Sequence, residues 1–197
     1  DMLKDLIQKK TPFIDVRSPA EFNQGSIPLS INIPILNDME REIVGKAFKS
    51  SGQETAKKIG YELVSGKIKD DRVNGWKKFI EANPRSWLYC ARGGLRSEIA
   101  QSWLKDIGLI IDRVDGGFKS IRNFCLDFFE HINEDNKDWI VLAGKTGSDK
   151  TGMINKLNNS IDLEGLANHR GSAFGARSTK QPSPVNFENS LAFKYIH

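Results

Sequence analysis

The sequence predicts an α/β fold with a largely parallel sheet, and three observations carry that reading. Short apolar runs alternate with longer stretches of helical periodicity along most of the chain. Two of the runs, Trp87-Leu88-Tyr89-Cys90 and Trp139-Ile140-Val141-Leu142-Ala143, lead into glycine-containing loops and then helical pattern, the order of a strand–loop–helix unit. The composition is that of an ordinary globular chain: 197 residues, 39% hydrophobic and 27% charged, which argues against disorder, collagen and a disulfide scaffold. At about 150 residues per domain, the length allows one or two domains.

Each element has its own justification. Residues 2–9 predict a short helix with Leu3, Leu6 and Ile7 on one face. Phe13-Ile14-Asp15-Val16 is a buried strand, and Ser18-Pro19 with Glu21 close behind starts a capped helix. Residues 27–34 are extended, because Pro28 and Pro34 bias their predecessors away from helix. Helices are expected over 38–62 and 70–81, with a break near Ser65-Gly66. Trp87 to Cys90 is a strand, and a helix carrying Ile99, Trp103 and Leu104 follows the glycine turn. Leu109-Ile110-Ile111 and Val114 suggest another strand, closed by Asp115-Gly116-Gly117 and an amphipathic helix over 118–131. The polar run 133–138 divides the chain into a first domain, 1–137, and a second part, 138–197.

Several function classes drop out early. No run of 18 apolar residues exists, so no membrane span is expected, and residues 1–6 lack a signal-peptide pattern. Two cysteines give neither a disulfide framework nor zinc spacing, and no metal site is read from the sequence. The cytoplasm is the expected compartment. The net charge of +4 is mild, but residues 41–78 hold ten Lys or Arg against five acids. A solvated helical surface and a footprint for nucleic-acid phosphates both fit that segment.

The sharpest chemistry lies in Cys90-Ala91-Arg92-Gly93-Gly94-Leu95-Arg96-Ser97. A glycine-rich loop between strand and helix points backbone N–H groups at an anion. A cysteine at its entrance, with Arg92 and Arg96 nearby, is favoured as the thiolate nucleophile. Cys125 has no such surroundings and is expected in the core.

Phe13-Ile14-Asp15-Val16-Arg17-Ser18-Pro19, Gly25-Ser26-Ile27-Pro28, Asn32-Ile33-Pro34, the cysteine loop and Asp115-Gly116-Gly117 together resemble rhodanese-like domains. Ser26 stands where that pattern usually has His. Five residues separate Cys90 from Arg96, where rhodaneses usually have four, so the loop length alone leaves phosphatase chemistry open.

A second loop, Gly144-Lys145-Thr146-Gly147-Ser148-Asp149-Lys150-Thr151, nearly fits the phosphate-binding pattern G-x-x-x-x-G-K-[ST]. Gly144, Thr146 and Gly147 would shape the turn, Lys150 would meet phosphate, and Thr151 a magnesium ion. Asp149 departs from the pattern by putting a Cβ and a negative charge where glycine is required. Downstream, Asp162 and Glu164 are candidates for a magnesium ion, and His169, Arg170, Gly171 and Ser172 for phosphate or RNA.

The order of these motifs, through Asp162 to Gly175, Gln181-Pro182 and Phe187-Glu188-Asn189, resembles the tRNA 2-selenouridine synthase family. The resemblance implies replacement of sulfur by selenium in wobble 2-thiouridine of tRNA, with selenophosphate and geranyl diphosphate as co-substrates and an S-geranyl intermediate. Cys90 would carry selenium, while Arg92, Gly93, Gly94, Arg96 and Ser97 would hold the anion. Implied partners are the tRNA and an enzyme supplying selenophosphate; a monomer without membrane attachment is expected. A generic rhodanese sulfurtransferase and an inactive remnant are the alternatives. The 60 residues of 138–197 are short for a P-loop domain, and the chain lacks an initiating Met, so the front part of a larger P-loop domain, loosely packed, is expected there.

Overall fold

A parallel sheet requires cover on both faces, and the computed structural model supplies it with helices on each side. It describes residues 2–134, 136–145, 147–171 and 174–196. The strands are β1 (Phe13–Asp15), β2 (Ser30–Asn32), β3 (Trp87–Tyr89) and β4 (Asp112–Arg113). They are ordered β2-β1-β3-β4 with every pair parallel, and Phe13 lies opposite both Ser30 and Trp87. The α/β expectation with a parallel, helix-flanked sheet is met.

The helices of the first part are α1 (Met2–Gln8), α2 (Pro19–Gln24), α3 (Asp38–Leu63), α4 (Gly66–Ala82), α5 (Leu95–Asp106) and α6 (Gly117–Glu130). Two of them start on a capping box, in which a side chain and a glutamate three residues later satisfy each other's backbone N–H groups. Ser18 with Glu21 opens α2, and Asn37 with Glu40 opens α3. Gly52 breaks α3 with a φ of 82°. The helix expected over 70–81 begins earlier, at Gly66, and buries Val73, Trp76 and Ile80 at helical spacing.

Alternation along the strands sorts the core into two clusters. Ile14, Leu88 and Cys90 face one side with Trp76, Trp103 and Leu104 of α4 and α5. Phe13 and Tyr89 face the other with Ile7 of α1, Ile121 and Cys125 of α6, and Phe193 and Ile196 of the final helix. Cys125 is fully buried, as expected.

Two strand expectations need correction. The strand over 109–114 is confined to Asp112 and Arg113; Ile110 is 88% exposed, because at the sheet edge it meets no covering helix. The run 139–143 forms no strand: Ile140 and Val141 are 92% and 87% exposed, with no neighbouring strand among the described residues to complete their hydrogen bonds. The next two helices are short, α7 (Lys150–Ile154) and α8 (Leu163–Leu166), and the longer α9 (Pro184–Ile196) comes last.

The expectation of loose packing fails for α9. It docks on α1 and α6 and buries Asn189, Ala192, Phe193, Tyr195 and Ile196. Asn189 donates to the Ser26 carbonyl at 2.8 Å, Ser26 N–H donates to Asn186 at 2.7 Å, and Arg122 of α6 pairs with Glu188. The sequence 184–196 therefore completes the second core cluster of the first domain.

Candidate active site at the Cys90 loop

The loop after β3 leaves the C-terminal edge of the sheet, the edge where parallel α/β folds place ligands. Its shape is set by close backbone approach to α6. Phe118 N–H donates to the Cys90 carbonyl at 2.8 Å, and Lys119 N–H to the Ala91 carbonyl at 3.0 Å. A Cβ on Gly117 would collide with that Cys90 carbonyl, and one on Gly93 would lie 2.7 Å from the Gly116 nitrogen. Both glycines also have positive φ, 58° and 66°, so these positions admit little else.

Cys90 is 3% exposed at the floor of the loop. Its Sγ lies 3.3 Å from Ser97 Oγ and 3.7 Å from the Gly94 carbonyl. Burial pushes the thiol up. The Ser97 hydroxyl, the backbone N–H groups of Arg92 and Ser97, and the Arg96 charge outweigh it, so the thiol ends below its ordinary value. At Cys125 burial outweighs the Arg122 charge and pushes the thiol up to about 12.

The two arginines of the loop part company. Arg92 is exposed. Arg96 forks onto Glu21 of α2, Nη1 to Oε2 at 2.5 Å and Nη2 to Oε1 at 3.0 Å, with Arg41 Nε 3.8 Å from the same carboxylate. Burial raises the Glu21 carboxyl, but the Arg96 contact holds it below the usual carboxylate range. The Arg96 guanidinium is thus held in place by Glu21, and its charge reaches Cys90 over a distance.

Three supporting residues escape sequence reasoning. Glu21 reads as a helix cap, yet it also anchors Arg96. Arg17 forms a buried ion pair with Asp15 at 2.7 Å, donates to the Gly25 carbonyl, and lies 3.9 Å over the ring of Phe118, whose N–H holds Cys90. Arg113 of β4 donates to the Gly93 carbonyl at 3.1 Å. Only the Asp-x-Arg spacing at Asp15 and Arg17 carries a local signal for any of these.

Beside the loop runs a groove of about 730 Å³ between α3 and α5. Ile35, Val44, Phe48, Tyr61, Ile99 and Trp103 give it an apolar lining, and Arg41, Lys46, Lys49 and Lys57 stand along it. It meets the cysteine loop at Leu95 and Arg96.

The second loop is built differently. Thr146 and Ser172 lie outside the described residues. Lys150 Nζ donates to the carbonyls of Gly144 and Lys145, at 2.7 and 3.1 Å. Asp149 sits at the start of α7 with a φ of 54°, the left-handed geometry for which the pattern reserves glycine. Its carboxylate lies over the first turn of α7, against Gly152, where a phosphate would have to sit. Gly147 and Thr151 are present, but among the described residues no strand holds the loop. The loop as described does not fit a nucleoside phosphate with its magnesium ion.

Asp162 caps α8, its Oδ1 accepting from the Gly165 N–H at 2.9 Å. Glu164 is exposed beside Gly171, whose N–H donates to His169 Nδ1 at 3.0 Å, and Arg170 is exposed. Among the described residues, no hydrogen bond or ion pair joins 144–171 to the cysteine loop, and no group of three metal-binding side chains occurs. None of the described helices is long and apolar enough to cross a membrane.

A short parallel sheet, a cysteine just past the end of an inner strand and a glycine loop pinned by a helix N-terminus define a rhodanese-like domain. The family model described as "Rhodanese-like domain" matches residues 1–124, and the chain belongs to that family. Residues 137–197 match the model described as "tRNA 2-selenouridine synthase AAA domain". The chain is 49% identical over 192 residues to the tRNA 2-selenouridine synthase of Pseudomonas savastanoi pv. phaseolicola, covering 97% of this chain and 52% of that protein. It is 49% identical over 199 residues to the enzyme of the same name from Nitrosomonas europaea, covering 100% of this chain and 51% of that protein. The chain spans about half the length of the curated relatives it matches. A crystal structure of the N-terminal domain of a protein described as ATP/GTP binding, from Clostridium difficile 630, is similar with a TM-score of 0.55 and 33% identity, over 59% of this chain and 90% of that one.

Proposed function

We propose that this chain carries the selenium-transfer site of a tRNA 2-selenouridine synthase, acting on wobble 2-thiouridine of tRNA. The observation that carries the reading is Cys90, a buried thiol below its ordinary value, on a backbone cradle shaped for an anion. The names of the relatives supply the reaction class. Selenophosphate is the selenium donor, and the Cys90 loop is where its anionic selenium is held for transfer.

The groove supports the geranyl step. An apolar trough flanked by Arg41, Lys46 and Lys49 suits an apolar chain with a diphosphate head. In this reading the C2 sulfur of the base displaces diphosphate from geranyl diphosphate. The selenium of selenophosphate then bonds to C2 as geranyl thiolate leaves, and water cleaves the Se–P bond to release phosphate. Exposed lysines of α3 and α4 offer contacts for tRNA phosphates, which predicts binding that weakens steeply with salt. The selenophosphate-supplying enzyme is the implied partner.

The test supplies selenophosphate, geranyl diphosphate and 2-thiouridine tRNA, and reads the nucleoside by mass spectrometry. Selenouridine should form with a protein containing the whole relative length and fall at least about a hundredfold in Cys90→Ser. Selenouridine formed equally well by Cys90→Ser would overturn the assignment. Cys90-dependent sulfur transfer from thiosulfate to cyanide, without selenation, would favour a generic sulfurtransferase.

A further inference from the structure

Ser97 Oγ has one proton to give and two acceptors near it: the Gly94 carbonyl at 2.9 Å and Cys90 Sγ at 3.3 Å. Which acceptor receives that proton affects how well the thiolate is held. On the far side of the same hydroxyl stands Arg113, with Nη1 at 3.4 Å from Ser97 Oγ and 3.1 Å from the Gly93 carbonyl. A guanidinium only donates, so it occupies a lone pair of Ser97 and leaves the Ser97 proton for the acceptors on the cysteine side. The guanidinium is itself fixed. Its Nε donates to Gln101 Oε1 at 2.8 Å, and Gln101 Nε2 donates to the Ile111 carbonyl at 2.7 Å.

We propose that Arg113, from the edge strand and outside the cysteine motif, is a positioning residue for the Cys90 thiolate, acting through Ser97 and the Gly93 carbonyl. The inference rests on Cys90 being the working thiol. The remaining charges around the site lie on several elements, and Asp115 and Lys119, at the turn into α6 and in its first turn, are exposed to water. Arg92 and Arg96 belong to the loop and the start of α5, Glu21 of α2 and Arg41 of α3 stand behind Arg96, and the Asp15–Arg17 pair closes β1. Glu98 of α5 lies 3.7 Å from Arg113 Nη1 and is half exposed, so water weakens its claim on the guanidinium.

The experiment is an ultraviolet thiolate titration of the 197-residue chain, taken as the difference from Cys90→Ser. Arg113→Met should raise the titration midpoint by about half a pH unit or more, lowering the thiolate fraction about threefold at pH values below it. Arg113→Lys, which keeps the charge and loses the fork, should move it in the same direction. In a Ser97→Ala background the effect of Arg113→Met should largely vanish. An unmoved midpoint in Arg113→Met, full rescue by Arg113→Lys, or an undiminished shift without Ser97 would each overturn the proposal. If Arg113→Met does not fold, Gln101→Leu unhooks Nε with the charge retained. It should give a smaller upward shift, and no shift there overturns the proposal too. The titration uses neither tRNA nor selenium, so its failure is separable from failure of the selenation reading.

Discussion

Two loops of this chain answer to nearly the same local description: an apolar run, glycines, basic residues, then a helix. The Cys90 loop leaves a strand paired on both sides, and α6 N–H groups clamp its carbonyls. The 144–151 loop leaves a run exposed to water, and Lys150 closes back on its own carbonyls. The difference teaches that an anion cradle is made by what holds the loop. Glycines permit the geometry, but a sheet and a neighbouring helix impose it.

The comparison breaks or sharpens most clearly at its glycines. Gly117→Ala should cost about 4 kcal/mol in thermal or denaturant unfolding, since the new Cβ meets the Cys90 carbonyl at a positive φ. Equal loss in Gly147→Ala, which meets nothing within 4 Å, would erase the distinction. Next comes the part of 138–197 that packs against the first domain. Phe193→Ala should cost about 3 kcal/mol by opening the second core cluster. Phe174→Ala, at 97% exposure, should leave the melt where it is.

Glu21→Gln should cost about 1 kcal/mol at neutral pH by removing the fork partner of Arg96. The folded Glu21 carboxyl lies below its unfolded value, so its contribution is present above the unfolded value of about 4.3 and fades as pH falls through the folded one. Parent and variant should therefore converge in acid, and a constant gap would remove the ion pair as the cause. The Cys90 thiol is also depressed. Its stabilising effect, measured against Cys90→Ala, should be full above the unfolded thiol value of about 8.5 and decline as pH falls through the folded one. A flat difference would count against a folded-state thiolate. The smallest effect belongs to the second loop. Lys150→Ala should move the melting temperature by less than about a degree, because its contacts are all with exposed loop carbonyls.

Much of the first domain was legible because its signals are local. Ser18-Pro19 with Glu21 marks a helix start, and Val73, Trp76 and Ile80 repeat at helical spacing. Cys90 was legible because a nucleophile, two glycines and two arginines fall within seven residues. The misses share a physical cause, which is that they depend on partners distant in sequence. Arg113 reaches Gly93 from 20 residues away, and Arg96 finds Glu21 across 75. Asn189 meets Ser26 across 163. The run 139–143 carries every local sign of a buried strand, yet a strand needs a neighbour to bond, and none stands beside it among the described residues.

The sequence by itself determined the α/β class, the cysteine cradle and the family pattern, because periodicity, capping and glycine placement act over a few residues. Only the tertiary structure decided that Arg96 is held by Glu21, that Arg113 backs Ser97, and that α9 seals the second core cluster. Those outcomes depend on which surfaces meet when the sheet is covered. Burial and charge pairing over such separations are properties of the packed chain, with no trace in any local window of the sequence.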